Sequence, residues 1–431
     1  MQLAVLVLFF VLFLLIIRRI GRLNFPMWFS MTLGAFLVLL FGQSTPTQAF
    51  SAVRWPIILF LLGMFIVGAA VDASGILKQY AFPYLARISS PRKFLFLFIF
   101  AAGFLSAFLM NDTIAIILTP FALWCAKRYH LPAKTMLFTL AASVTTGSVM
   151  TPIGAPPNLL IAIEGLNGSF LPFLVWLFIP ALIGLAVVYF SVSFSLRSQK
   201  SAPQPTAENV SDFIPENSFV PENSFVPEKK RLNLLFLTKM SLIFVFLSVL
   251  IYIGLSLSGT SFPIVAIAFA GALPLILFSD RRLELIKKVD WLTLLFFISM
   301  FILIESVSMT AFFENFIPEN FASSVPVLYA TSLFLSQFIS NVPYVSLVLP
   351  LLKINAAPVL SYMALAAGNT VAGNLTIFGA ASNVIIIQNA EKSGETLTFF
   401  EFLKFGLPVV VMQSVIFVGW LLLLSFLASG S

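Results

Sequence analysis

The sequence predicts an all-α polytopic membrane protein made of two inverted-topology repeats, each carrying a re-entrant helical hairpin and a broken transmembrane helix. Three observations predict it: apolar blocks close to membrane-spanning length, one set of motifs that occurs twice in the same order, and basic residues gathered at alternate ends of the blocks. Sixty per cent of the 431 residues are hydrophobic and a tenth are charged, with a mean hydropathy of +1.04. A soluble domain carries roughly a quarter charged residues, so a water-soluble fold of this length could not cover its surface.

The apolar blocks run over Leu3–Ile17, Ile57–Val71, Phe94–Leu109, Leu174–Tyr189, Leu234–Leu255, Trp291–Ile304 and Val409–Leu427. A helix needs about 20 residues to cross about 30 Å of hydrocarbon, and none of these blocks shows the period-two alternation of a membrane barrel. The first block has its Arg18, Arg19 and Arg22 behind it rather than before it and no small-residue cleavage site, so it is expected to be a retained span. Next, Phe94–Leu109 and Ile114–Ala126 are short and flank the polar Asn111-Asp112-Thr113. Their outer ends both carry basic residues, the profile of a hairpin that enters and leaves by one membrane face. Val327–Ile339 and Tyr344–Leu352 form the second such pair, around Ser340-Asn341-Val342-Pro343.

Laid on each other, the two halves match in three collinear blocks. Trp55…Gly63–Ile66 overlays Trp291…Ser299–Ile302, Phe104–Pro120 overlays Phe334–Pro350, and Leu140–Asn158 overlays Leu365–Asn383. Each half then holds three spans, a hairpin, an interrupted span and a closing span. That is an odd number of crossings, which inverts the second copy. The expected division is 1–197 for the first repeat, 198–231 for a flexible cytoplasmic linker in which Pro-Glu-Asn-Ser-Phe-Val occurs twice, and 232–431 for the second repeat.

The formal charge of +7 reads as membrane topology, not as a nucleic-acid surface. The clusters Lys127–Arg128, Lys229–Arg231, Arg281–Arg282 and Lys287–Lys288 alternate with loops in which Arg54 and Lys353 stand alone. The positive-inside rule then places both termini outside and the linker in the cytoplasm of an inner or plasma membrane. The lone Cys125 excludes an internal disulfide, and His130 sits in a basic loop with no metal-ligand partner in sequence, so no metal or cofactor is expected beyond a coupling ion.

Chemistry is expected at the tips and breaks. Thr151-Pro-Ile-Gly-Ala-Pro-Pro-Asn158 cannot continue a helix, because proline lacks the N–H and clashes with the preceding turn. Such a break exposes carbonyls and N–H groups that can hold ions. Its partner Gly379-Ala-Ala-Ser-Asn383 keeps the glycine and asparagine without proline. The expected substrate-binding residues are Asn111, Thr113, Gly154, Asn158, Ser340, Asn341, Gly379 and Asn383. The expected coupling-ion residues are Asp112, Ser106, Thr151 and Glu305, with Asp112 foremost as the carboxylate of a tip whose counterpart is Val342. With no Lys or Arg at either tip or break, a fully charged anion would need helix dipoles and a co-bound cation. A nucleophile with a base is not evident, so no enzyme is expected; two closed tips meeting at one site also argue against a channel.

Met110-Asn-Asp-Thr113 with Leu118-Thr-Pro120, Thr151–Asn158, Gly373–Thr376 and Gly379–Asn383 resemble the ion transporter superfamily. That group contains arsenite efflux permeases, NhaD-type sodium/proton antiporters, citrate–metal symporters, plant silicon effluxers and divalent anion/sodium symporters. The resemblance spans nearly the whole chain. It implies that tips and breaks build the substrate and cation sites and that a transport block moves like an elevator against a scaffold. The sodium/dicarboxylate branch carries Ser-Asn-Thr at both tips and this chain does not, so the Asn111-Asp112 tip looks closer to the arsenite, silicon and NhaD-like branches. The expected function is secondary transport of a small anion or oxyacid coupled to H+ or Na+, the alternative a sodium/proton antiporter. The expected partners are the lipid bilayer, the small substrate and, as an oligomer, a homodimer.

Overall fold

The computed structural model describes residues 2–17, 19–20, 23–24, 26–76, 79–80, 84, 87–88, 90–198, 228–258, 262–310, 312 and 324–429. The tandem-repeat segment expected to be a tether, and most of the loop 314–325, lie outside them. The first half runs α1 Gln2–Ile17, α2 Met27–Leu40, α3 Pro46–Ala52, α4 Trp55–Ser74, α5 Pro91–Leu109, α6 Asn111–Arg128, α7 Ala133–Ser148, α8 Pro156–Leu160 with a π turn Ile161–Gly165, and α9 Leu171–Ser198. The second half runs α10 Glu228–Leu257, α11 Val265–Phe278, α12 Arg282–Lys287, α13 Trp291–Ser308, α14 Val325–Ile339, α15 Asn341–Ile354, α16 Val359–Ala372, a 3-10 turn Ile377–Gly379, α17 Ala381–Glu391 and α18 Phe399–Ser429.

Local sequence explains the boundaries. Helix α3 starts on a capping box, with Thr45 and Gln48 exchanging side-chain and backbone hydrogen bonds. Helix α4 has Pro56 in its first turn and stops at Gly75, whose φ of 68° is the left-handed conformation glycine adopts freely. The short helices α3 and α12 were not foreseen, because seven and six residues are too few to show a hydrophobic period. They are repeat counterparts. Each delivers the chain to the next span through a residue of the same conformation, Arg54 (φ −80°, ψ 76°) and Asp290 (φ −77°, ψ 78°).

The helices pack as two blocks, and each half contributes to both. In the first block α4 packs on α10 and α11, and α13 packs on α1 and α2. In the second, hairpin arm α5 packs on broken helix α7 as α14 packs on α16, and the long helices α9 and α18 lie against each other. Phe194, Phe400, Val415 and Phe426 point outward from these long helices and are at least 71% exposed, an apolar surface of the kind lipid covers.

The hairpin tips are tighter than the sequence suggested. Only one residue in each leaves the helix: Met110 (φ 65°, ψ 139°) and Ser340 (φ 68°, ψ 159°). Asn111, Asp112 and Thr113 are therefore the first turn of α6, and Asn341, Val342 and Pro343 the first turn of α15. Proline is tolerated there because a first-turn N–H has no intrahelical partner.

Candidate functional site

Both tips and both breaks meet at one cavity of about 630 Å³. Its walls include Asn111 and Asp112 from the first tip and Ser340, Asn341 and Val342 from the second. Ala155, Pro156 and Pro157 come from the first break, and Ala380 and Ala381 from the second. The cavity reaches the membrane face at which α2 and α13 begin, where Met27, Trp28, Asp290 and Thr293 line it. Lys287 and Lys288 lie three and two residues before Asp290, so basic residues stand near this mouth.

The two breaks are built alike, and the conserved geometry between the halves explains their shared residues. The Asn158 amide donates to the Ser148 carbonyl at 3.0 Å, and the Asn383 amide donates to the Gly373 carbonyl at 2.6 Å and to that of Thr376 at 3.2 Å. The Ser148 and Gly373 carbonyls lie at the ends of the half-helices α7 and α16, where helix-end carbonyls lack intrahelical donors, and the Thr376 carbonyl lies within the break. A Cβ on Gly154 would overlap the Ser148 carbonyl oxygen, and one on Gly379 would overlap that of Ala372. The glycines are there because the chain folds back on its own half-helix.

The same threonine ties each break to its hairpin. Thr151 donates to the Ala107 carbonyl, and Thr376 donates to the Gln337 side chain at 2.7 Å. Ser106 donates to the Val144 carbonyl at 2.6 Å while its counterpart Ser336 donates to the Asn369 side chain at 2.8 Å. The Asn111 N–H completes the link by donating to the Gly154 carbonyl at 2.8 Å.

The expected site residues therefore separate into groups. Asn111, Asp112, Ser340 and Asn341 line the cavity. Ser106, Thr151, Gly154, Asn158, Gly379 and Asn383 sit behind its walls and hold the breaks. Thr113 is buried against Gly68 of α4. Glu305 lies away from the cavity, where its carboxylate pairs with Arg54 at 3.5 Å. Arg54 also meets Glu164 at 3.3 Å, and Glu164 meets Lys353 at 2.8 Å, so the charges of the sparsely charged loops gather in one chain.

Sequence reasoning missed Thr145, Ser148, Thr370, Asp290, Thr293 and Gln388, which also line the cavity. Thr145 and Thr370 were visible as a threonine recurring at the same distance before each break. Asp290 was visible as the residue preceding the repeated tryptophan, opposite Arg54.

The cavity is polar in an unequal way. Among the described residues, its charged lining groups are Asp112 and Asp290. Asp112 is 7% exposed and its Oδ1 has no hydrogen-bond partner; Asn341 is 9% exposed and its Oδ1 has none either. The Oδ1 of Asn111, by contrast, accepts from the Asp112 N–H at 2.9 Å. Helices α6, α15 and α17 start at the cavity, so their N-terminal partial positive charge points into it. Helix α8 starts there too, but Pro156 and Pro157 remove two of the N–H donors of its first turn.

A model of the citrate transporter family (CitMHS) matches residues 10–362. The chain belongs to that family. It is accordingly a multi-pass membrane transporter and not an enzyme. The citrate transporter relatives include the silicon efflux transporter LSI3 of Oryza sativa subsp. japonica, 27% identical over 89% of this chain and 90% of that one. A 46 kDa membrane protein of Mycobacterium leprae is 26% identical over 84% of this chain and 85% of that one. Among solved structures, the Alcanivorax borkumensis YdaH transporter, described as having an unusual topology, superposes with a TM-score of 0.54 at 15% identity, covering 100% of this chain and 98% of that one. That likeness concerns the fold.

Proposed function

We propose that the protein is a secondary active transporter of a small oxyacid, coupled to H+ or Na+ through Asp112. The carrying observation is the lining of the cavity: Asp112 and Asn341, each with an unpartnered oxygen, helix N-termini, and, among the described residues, no lysine, arginine or histidine. An oxyacid offers hydroxyls to the oxygens and oxygens to the N-terminal N–H groups. A multiply charged carboxylate would instead face two aspartates with no fixed cation, an arrangement that low-dielectric surroundings penalise heavily. Similarity to a silicon efflux transporter is in keeping with this reading.

In this reading the repeats are inverted about an axis in the membrane plane, and the block of hairpins and broken helices slides against the block of α1–α4 and α10–α13. The cavity then faces the cytoplasm, with both termini outside and the 198–231 linker inside a plasma or inner membrane. Proteoliposome flux of silicate, arsenite, phosphate, sulfate, citrate and succinate under imposed proton and sodium gradients tests it. Gradient-driven movement of silicate or arsenite is expected. Transport of citrate or succinate alone would overturn the oxyacid assignment, and sodium/proton exchange with no solute flux would favour the antiporter.

A further inference from the structure

Asp290 and Arg54 occupy equivalent places in the two halves. Each is the residue before the repeated tryptophan, at the N-cap of α13 and α4, with nearly identical backbone angles. Each follows a short helix, and the next N–H donates back to the residue before it: Trp55 to Val53 at 3.0 Å and Trp291 to Val289 at 2.9 Å. Yet the charges are opposite, and so are the settings. Asp290 lines the cavity, whereas Arg54 is held in the ion chain by Glu164 and Glu305.

We propose that Asp290 is a specificity-determining residue for the coupling cation, which in this state is shared by the Asp112 and Asp290 carboxylates. This rests on the reading of Asp112 as the coupling residue. The support is geometric. The two residues line one cavity from different blocks, α6 and the start of α13, and among the described residues they are the charged groups of its lining. Asp112 keeps an unpartnered oxygen although more than nine-tenths of the residue is buried.

Other charges on the helices packed against α6 sit at helix ends: Asp72 on α4, Arg92 and Lys93 on α5, Lys127 and Arg128 on α6 itself, Lys134 on α7 and Glu391 on α17. Lys288, close to Asp290 in sequence, pairs with Asp72 at 3.2 Å, and Arg281 pairs with Glu284 at 2.6 Å. Glu305 and Lys353, on α13 and on the α15 it packs against, belong to the ion chain. Two carboxylates in one cavity with no basic residue among the described lining favour a proton or monovalent cation between them.

Inverted symmetry then assigns the other mouth. When the hairpin block moves, Asp112 leaves Asp290 behind, and the equivalent rim position is Arg54. A carboxylate that faces another carboxylate on one side and a guanidinium on the other holds its cation in the first state and releases it in the second. Cation affinity thereby alternates with access, as coupling requires.

The test uses Asp290→Asn, which keeps an N-cap acceptor for the Thr293 N–H, leaves a polar group beside the Thr293 hydroxyl that donates to Oδ2 at 2.6 Å, and removes the charge. Asp290→Ser is a second neutral cap, in case the first folds poorly. Purified full-length variants are assayed in proteoliposomes over a pH series without sodium and a sodium series at fixed pH. The expected result is about a tenfold loss of cation affinity, read as one unit of acid shift of the pH profile or a tenfold higher half-saturating sodium. In the Asp112→Asn protein, which is expected to lose uphill transport, adding Asp290→Asn should change residual substrate exchange no further. Wild-type pH and sodium dependence in both Asp290 variants overturns the inference while leaving Asp112 in its role. An Asp112→Asn protein that still builds a gradient overturns the reading beneath it.

Discussion

Asn383 reaches back across the second helix break to donate its side-chain amide to the Gly373 carbonyl at 2.6 Å, and Asn158 does the same to Ser148 in the first. The asparagines thus rebuild, with side chains, the hydrogen bonding that the interrupted helix gives up. Asn383 serves two carbonyls and Asn158 one. Asn383→Ala should therefore cost more stability than Asn158→Ala, with each unmet buried group worth about 1–3 kcal/mol. Thermal melting of the detergent-solubilised protein checks the ranking. Equal wild-type melting in both variants would mean that the amides do not hold the breaks.

The glycines of the breaks give a second stability contrast. Gly154→Ala places a methyl on a backbone carbonyl that cannot yield, so a loss of about 1–3 kcal/mol is expected. Gly419, inside α18, has open space where its Cβ would be. Gly419→Ala should raise stability by up to about 1 kcal/mol, since alanine is the better helix former. The two variants should melt on opposite sides of wild type.

How far the site could be read from sequence follows from what sequence encodes. The hairpins and breaks were legible because proline, glycine and asparagine interrupt apolar runs twice at matching positions. The roles of the asparagines were less so. Position in a repeat says that Asn158 and Asn341 matter, but only the fold separates an amide that donates to a helix-end carbonyl behind the wall from one on a residue that lines the cavity. Glu305 looked intramembrane because it sits in an apolar run, yet it is near the end of α13 and meets Arg54 from a distant loop. Asp290 went unread because long-range packing, not local pattern, brings the start of α13 to the tips.

Asn341 carries the prediction about binding. The residue lines the cavity and its Oδ1 has no hydrogen-bond partner, whereas that of Asn111 accepts from the next backbone N–H. Asn341→Ala should raise the half-saturating substrate concentration about tenfold, from one lost hydrogen bond of about 1.5 kcal/mol in a site shielded from water. Its melting should stay close to wild type. Asn111→Ala should instead lower melting, because the first turn of α6 loses its side-chain acceptor. If Asn341→Ala binds substrate normally, its amide is only part of the hairpin.

The ion chain predicts which charge governs the balance between the two access states. Arg54 and Glu305 belong to the same block, at the start of α4 and on α13, so their pair can persist when the blocks slide. Glu164 follows α8 and Lys353 ends α15, both in the hairpin block, so the Arg54–Glu164 pair at 3.3 Å crosses the boundary between the blocks. In the proposed sliding motion, opening the cavity toward the Arg54 face breaks it. These side chains are partly solvated, with Glu164 21% and Arg54 38% exposed, and such pairs contribute about 0.2–1 kcal/mol. Glu164→Gln should therefore shift the equilibrium toward the opposite state by up to about fivefold. Glu305→Gln should shift it little, because its partner moves with it. A cysteine placed at Thr370, probed by an impermeant thiol reagent from the Arg54 face, reports the population; Cys125 is buried and contributes little background. Faster labelling in Glu164→Gln than in Glu305→Gln is the expected result. Equal labelling in the two variants would mean that the chain does not bridge moving parts.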